Sequence, residues 1–187
     1  MSLFEFLMVL VSIIVGLGIA EILSGVARMI RCRESIRGFW VHGLAVALVF
    51  LALLQQWWEL WGLRNTPEWT FASLLMMLAG PVGLFLIAHL MFPVSMPGAN
   101  VREYYYGVMR PAWSIAAATV LLATLFRPVV FDWQLFTPDN ATSLAFFVGF
   151  LLLAISKRPQ LHAVLMPAFL ALLLIDILQW SFAISAD

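Results

Sequence analysis

A chain of 187 residues, 64% hydrophobic and 11% charged, has too little charge to wet the surface of a soluble domain, and its mean hydropathy is +1.00. Its net charge is zero, so no global field draws nucleic acid. A single cysteine, Cys32, rules out an intrachain disulfide and a cysteine-based zinc cluster.

The apolar residues gather in segments of about 20, the length of a membrane-spanning helix, without the short alternation of outer-membrane strands. The expected class is all-α: a polytopic membrane protein, a six-transmembrane-helix bundle with both termini on the outer side. A single transmembrane domain is expected over 1–187, with helices at about 3–27, 39–63, 69–92, 105–126, 142–156 and 160–184.

Segment one is followed, not preceded, by basic residues: Arg28, Arg31, Arg33 and Arg37. That flank argues for a retained helix entering from outside rather than a cleaved leader. Ser12, Gly16, Ala20 and Ser24 recur every four residues, a small-residue stripe suited to close helix packing. Glu21 lies beside it. Segment two carries His42 near its start and Gln55-Gln56-Trp57-Trp58-Glu59-Leu60-Trp61 at its end. Gly80-Pro81 is expected to kink segment three, since proline removes a backbone donor. His89 is near that segment's inner end.

Pro93 to Tyr104 reads as a loop, and Tyr104-Tyr105-Tyr106 as an aromatic belt opening segment four. A second loop is expected from Arg127 to Ala141, carrying Asp132, Trp133 and Pro138-Asp139-Asn140, with Asp139 or Thr142 capping segment five. Segment six carries His162, Pro167, Asp176 and Gln179.

Alternating sides from an outer start places Arg28, Arg31, Arg33, Arg37, Arg102, Arg110, Lys157 and Arg158 inside, against Arg64 and Arg127 outside. This is a strong positive-inside bias. Trp57, Trp58, Trp61, Trp69, Trp133 and Trp180 then cluster toward the outer face, as a belt would.

Two polar layers follow from this topology. The inner layer holds His42, His89, His162, Glu21 and Arg110. Three imidazoles are a familiar zinc or copper set, and two could hold a haem; the plainer reading is interfacial histidines that bury a ring and wet a nitrogen. Glu21 is expected to hydrogen-bond across helices, with Arg110 as its candidate partner. The outer layer holds Gln55 and Glu59, four apart on one helix face, and Asp176 and Gln179, three apart on another. Gln55 asks for a partner one turn deeper than Glu59, and Asp176 and Gln179 are the candidates. Ionised groups in lipid are costly, so these carboxylates should face protein or water.

The runs Trp57-Trp58-Glu59-Leu60-Trp61-Gly62-Leu63-Arg64 and Val11-Ser12-Ile13-Ile14-Val15-Gly16-Leu17-Gly18-Ile19 resemble uncharacterised small bacterial multi-span membrane proteins. The resemblance implies a bacterial inner (plasma) membrane and brings no activity, cofactor or site residue. No phosphate-binding glycine loop, nucleophile turn or His-Glu-x-x-His occurs, so no catalytic residue is nominated. The function expected from the polar layers is a small-cation or proton channel or transporter. Its pathway would run through Asp176, Gln179, Gln55, Glu59 and Glu21. The alternatives are a haem- or metal-binding redox subunit using His42, His89 and His162, or a non-catalytic membrane scaffold. Membrane lipid, and a second copy of the chain or another membrane protein, are the expected partners; no nucleic acid and no cofactor are expected.

Overall fold

A computed structural model describes residues 3–66, 69–131 and 139–180. Those residues are helical and contain no strand. The helices are α1 (Leu3–Arg31), α2 (Trp40–Glu59), α3 (Phe71–Leu90), α4 (Val101–Phe131), α5 (Asp139–Ile155) and α6 (Pro159–Trp180). A 3-10 turn, Leu60–Leu63, extends α2. Among the described residues five helices are long and apolar enough to cross a membrane, with spans Phe4–Arg31, Trp40–Leu63, Phe71–Leu90, Val101–Leu125 and Pro159–Gln179. The apolar part of α5, Thr142–Ile155, is shorter. The helices suit an integral membrane protein.

Local chemistry explains several boundaries. Thr70 and Ser73 close a reciprocal capping box at the start of α3: the Ser73 N–H donates to Thr70 Oγ1 at 3.1 Å and the Thr70 N–H to Ser73 Oγ at 2.9 Å. Pro159 opens α6, where its missing N–H leaves no intrahelical bond unmade. At α4 the helix starts four residues before the expected Tyr105. Asn100 is the reason, its side chain accepting from the Glu103 N–H at 3.4 Å. Downstream, α4 continues to Phe131, so the expected loop from Arg127 begins in helix; Asp132, Trp133 and Pro138 lie outside the described residues. Pro81 sits within α3, which continues as one helix to Leu90.

α2 is the central element. It packs against α1, α3 and α6 and touches α4, while α3–α4 and α4–α5 form the largest helix pairings. Its buried face runs Val41, His42, Ala45, Val46, Leu48, Val49 and Leu53. Within the described residues the stripe on α1 is met at Ser12, by the Trp57 indole, and not at Gly16. Ser12, Gly16, Ala20 and Ser24 are exposed, and a Cβ at Gly16 would meet nothing. The close approach is made instead at Gly25, where a Cβ would collide with the Phe92 ring, so only glycine lets the chain after α3 lie there. The expectation that the stripe packs within the bundle is corrected accordingly. Between α4, α5 and α6, Trp113 stacks on Phe150 at 5.5 Å with rings 5° from parallel, and Phe169 meets Phe150 edge-on at 5.0 Å.

The α1–α2 and α3–α4 connections are tied together. Arg37 N–H donates to Ala99 O and Val101 N–H to Arg37 O, both at 3.2 Å. This bridge fixes one end of the bundle.

Candidate functional site

Two polar clusters sit at opposite ends of α2. His42 lies near its first turn and Gln55 thirteen residues on, about 20 Å along the axis. One is the Glu59 end and the other the Tyr105 end.

At the Glu59 end, the half-buried Gln55 projects from the last turns of α2 toward α6. Its amide nitrogen donates to Asp176 Oδ2 at 2.6 Å and to Glu59 Oε1 at 2.8 Å. An amide nitrogen has two hydrogens, so both are consumed, one by each carboxylate. The Glu59 contact is the helix neighbour four residues on; the Asp176 contact joins chain segments 121 residues apart. Asp176 is half-buried, Glu59 exposed, and Gln179 exposed one turn beyond Asp176. The indoles of the same stretch also bind α1: Trp57 Nε1 donates to Ser12 Oγ at 3.0 Å and Trp61 meets the Phe4 ring edge-on at 6.1 Å. A residue in the belt can thus serve as a tether as well.

The Tyr105 end is assembled from α2, α4 and α6. His162 is fully buried. Its Nε2 lies 2.7 Å from Ser156 O, a carbonyl that only accepts, so this nitrogen carries the proton and donates. Nδ1 is then an acceptor, and Tyr105 O–H donates to it at 2.8 Å. His42, on the other side of Tyr105, is 2% exposed and donates from Nε2 to Met91 O at 2.6 Å. Both imidazoles meet the Tyr105 ring edge-on, at 6.4 Å for His42 and 5.4 Å for His162. Tyr104 O–H lies 3.0 Å from Leu90 O and 2.9 Å from Phe92 O, satisfying carbonyls at the end of α3.

The expected tyrosine belt is therefore corrected: Tyr105 is 1% exposed and clasps three helices instead of lying in an interface. It is the residue that sequence reasoning missed. The sequence holds no signal that separates it from Tyr104 and Tyr106.

Glu21 and His89 form a third, smaller group between α1 and α3. Glu21 Oε1 is 3.4 Å from His89 Nδ1, and the His89 side chain is 66% exposed. Arg110, the expected partner of Glu21, is exposed on α4. His89 reaches Glu21 because α1 and α3 pack directly.

The three histidines sit on separate partners. Among the described residues no three His, Cys, Asp or Glu side chains gather into a set able to hold a metal ion. Both nitrogens of His162 are committed to protein, so neither has a free lone pair to offer.

Between α2, α3, α4, α5 and α6 lies a cavity of about 130 Å³. Its walls are apolar, including Leu48, Ile87, Trp113 and Phe150, with Thr119 the polar residue among them. The polar clusters do not open into it.

The chain matches no family model, no curated protein and no solved structure.

Proposed function

We propose that the chain is a multi-pass protein of the bacterial inner membrane, with six spans and both termini outside, that takes up a small cation or a proton at its Glu59 end. The observation that carries this reading is one neutral amide nitrogen held between two carboxylates from different helices. An amide donor does not cancel the charge of the half-buried Asp176, so that carboxylate favours a cation. Asp176 is the group committed to uptake because it is the more buried carboxylate, and Gln55 positions it. Gln179 and Glu59 widen the mouth, and Glu21 with His89 forms the second polar step toward the opposite face.

The orientation is supported by the distribution of basic residues, eight inside against two outside. The sixth crossing is supported by α5 extending to Asp139, which gives a helix of 17 residues, about 25 Å long. The test is flux of protons and of monovalent cations into proteoliposomes, wild type against Asp176→Asn. A flux that the substitution abolishes is the expected result. Equal flux from both, or none from either, removes the basis of the reading.

A second reading is a non-catalytic membrane partner protein. It is favoured by the outward-facing stripe Ser12, Gly16, Ala20 and Ser24, a surface on which a second helix could seat closely. With Cys32→Ser in the background, Gly16→Cys should then give disulfide-linked dimers in native membranes, whereas Leu10→Cys, exposed but about 120° around the helix from Gly16, should not. Monomer alone from Gly16→Cys would rule out a symmetric contact there.

A further inference from the structure

We propose that the cleft between the end of α1 and the α3–α4 connection binds a phosphate group, carried on a lipid headgroup or free in solution. The cleft holds about 330 Å³ and is lined by Arg28, Arg31, Cys32, Ser95, Met96 and Pro97. Arg28 and Arg31 are one turn apart and share a helix face. Among the described residues neither arginine is in an ion pair. Arg28 Nε is buried and has no hydrogen-bond partner among them.

A buried guanidinium N–H without an acceptor is an unfilled demand in a folded protein. A guanidinium stays charged and presents a fork of donors that matches phosphate oxygens, so two of them beside an open cleft select for that anion. Ser95 adds a hydroxyl at the rim.

The position suits the same ligand. The candidate spans Phe4–Arg31 and Phe71–Leu90 both end beside the cleft, where apolar helix gives way to headgroup depth. The opposite wall is apolar: Met96 is buried, Pro97 exposed, and the neighbouring Val94 fully exposed. Val94 and Pro97 would meet the glycerol and upper acyl region of a lipid whose phosphate rests on the arginines. The wall is also held in place. Ala99 N–H donates to Met96 O at 3.0 Å, and the Arg37 bridge fastens the same segment to the α1–α2 connection. The site is therefore largely preformed, which lowers the ordering cost of binding.

Cys32 lines the cleft and is the chain's single cysteine, so its maleimide labelling rate reports occupancy directly. The full chain is placed in nanodiscs of digalactosyldiacylglycerol alone, which has no phosphate, of that lipid with phosphatidylglycerol, or of that lipid with added inorganic phosphate. The ratio of rates with and without the anion is taken within each variant, which cancels changes in intrinsic thiol reactivity. In wild type the labelling slows severalfold. Arg28→Gln and Arg31→Gln each weaken the anion's effect, by about fivefold in concentration dependence per arginine. Arg33→Gln, exposed and outside the cleft, retains the wild-type ratio. Slowing by phosphatidylglycerol alone assigns the phosphate to a headgroup; slowing by inorganic phosphate as well assigns it to the phosphate group itself.

Unchanged labelling in wild type in both arms overturns the proposal. So does a ratio that survives in Arg28→Gln and Arg31→Gln, or one lost equally in Arg33→Gln, which would mean diffuse attraction to the membrane surface. Arg31 is exposed, so Arg31→Gln keeps the test open should Arg28→Gln fail to fold.

Discussion

The two ends of α2 treat polar groups in opposite ways. At the Tyr105 end the contacts join neutral groups: His42 with a carbonyl, Tyr105 with His162, His162 with a second carbonyl, while His42 Nδ1 and the Tyr106 hydroxyl are buried with no partner among the described residues. The His42, Tyr105 and His162 side chains are buried and the partners are neutral. At the Glu59 end one amide faces two carboxylates, and the group is only half-buried. Neutral and dry is the pattern of a fastening. Charged and partly wet is the pattern we propose for a site that exchanges something with its surroundings. A histidine or an acid in a membrane helix is thus informative only together with its partner.

The contrast makes graded predictions. His162→Ala should cost most, about 3 kcal/mol, because it removes a buried ring and strands both the Tyr105 hydroxyl and Ser156 O. Thermal unfolding in detergent measures it. A smaller loss than that of any Glu59-end variant would erase the distinction between the ends. Next comes Tyr105→Phe, which keeps the ring and deletes the donor to His162 Nδ1. About 1–3 kcal/mol is expected from the buried lone pair left unpaired. If the variant melts like wild type, the hydroxyl is dispensable and packing alone holds that end.

Asp176→Asn should change stability by no more than about 1 kcal/mol, since an asparagine oxygen still accepts from Gln55 and the group is partly solvated. Its large effect belongs on flux or cation uptake, and a variant that unfolds without losing uptake would reverse the roles assigned to the two ends. Glu59→Gln is expected to leave the melting temperature unchanged, because the residue is exposed, and to lower uptake less than Asp176→Asn does. Should it lower uptake more, the outer carboxylate would be the principal one.

Much of the Glu59 end was legible from the residues. Gln55 and Asp176 could be matched because each lies within a few turns of a boundary marked by tryptophans and loop residues, and a buried amide in an apolar helix must find a partner. The Tyr105 end was less legible. Three consecutive tyrosines at a span entry resemble a belt, and the sequence shows nothing that singles out Tyr105 from Tyr104 and Tyr106. Their roles separate only once α4 begins at Val101 and turns Tyr105 toward α2 and α6.

The sequence by itself determined the all-helical class and the approximate helices, because hydropathy acts along the chain axis and is read in order. The tertiary structure alone decided rotation: which face of each helix turns inward. It put the small-residue stripe of α1 outside, Gly25 against Phe92, His89 in the open beside Glu21 and Tyr105 in the core. The reason is physical. In helices apolar all round, the face toward lipid and the face toward protein are equally greasy, so no amphipathic period marks the inner one. Close packing and a few directed hydrogen bonds choose it instead, and those depend on residues far apart in the chain.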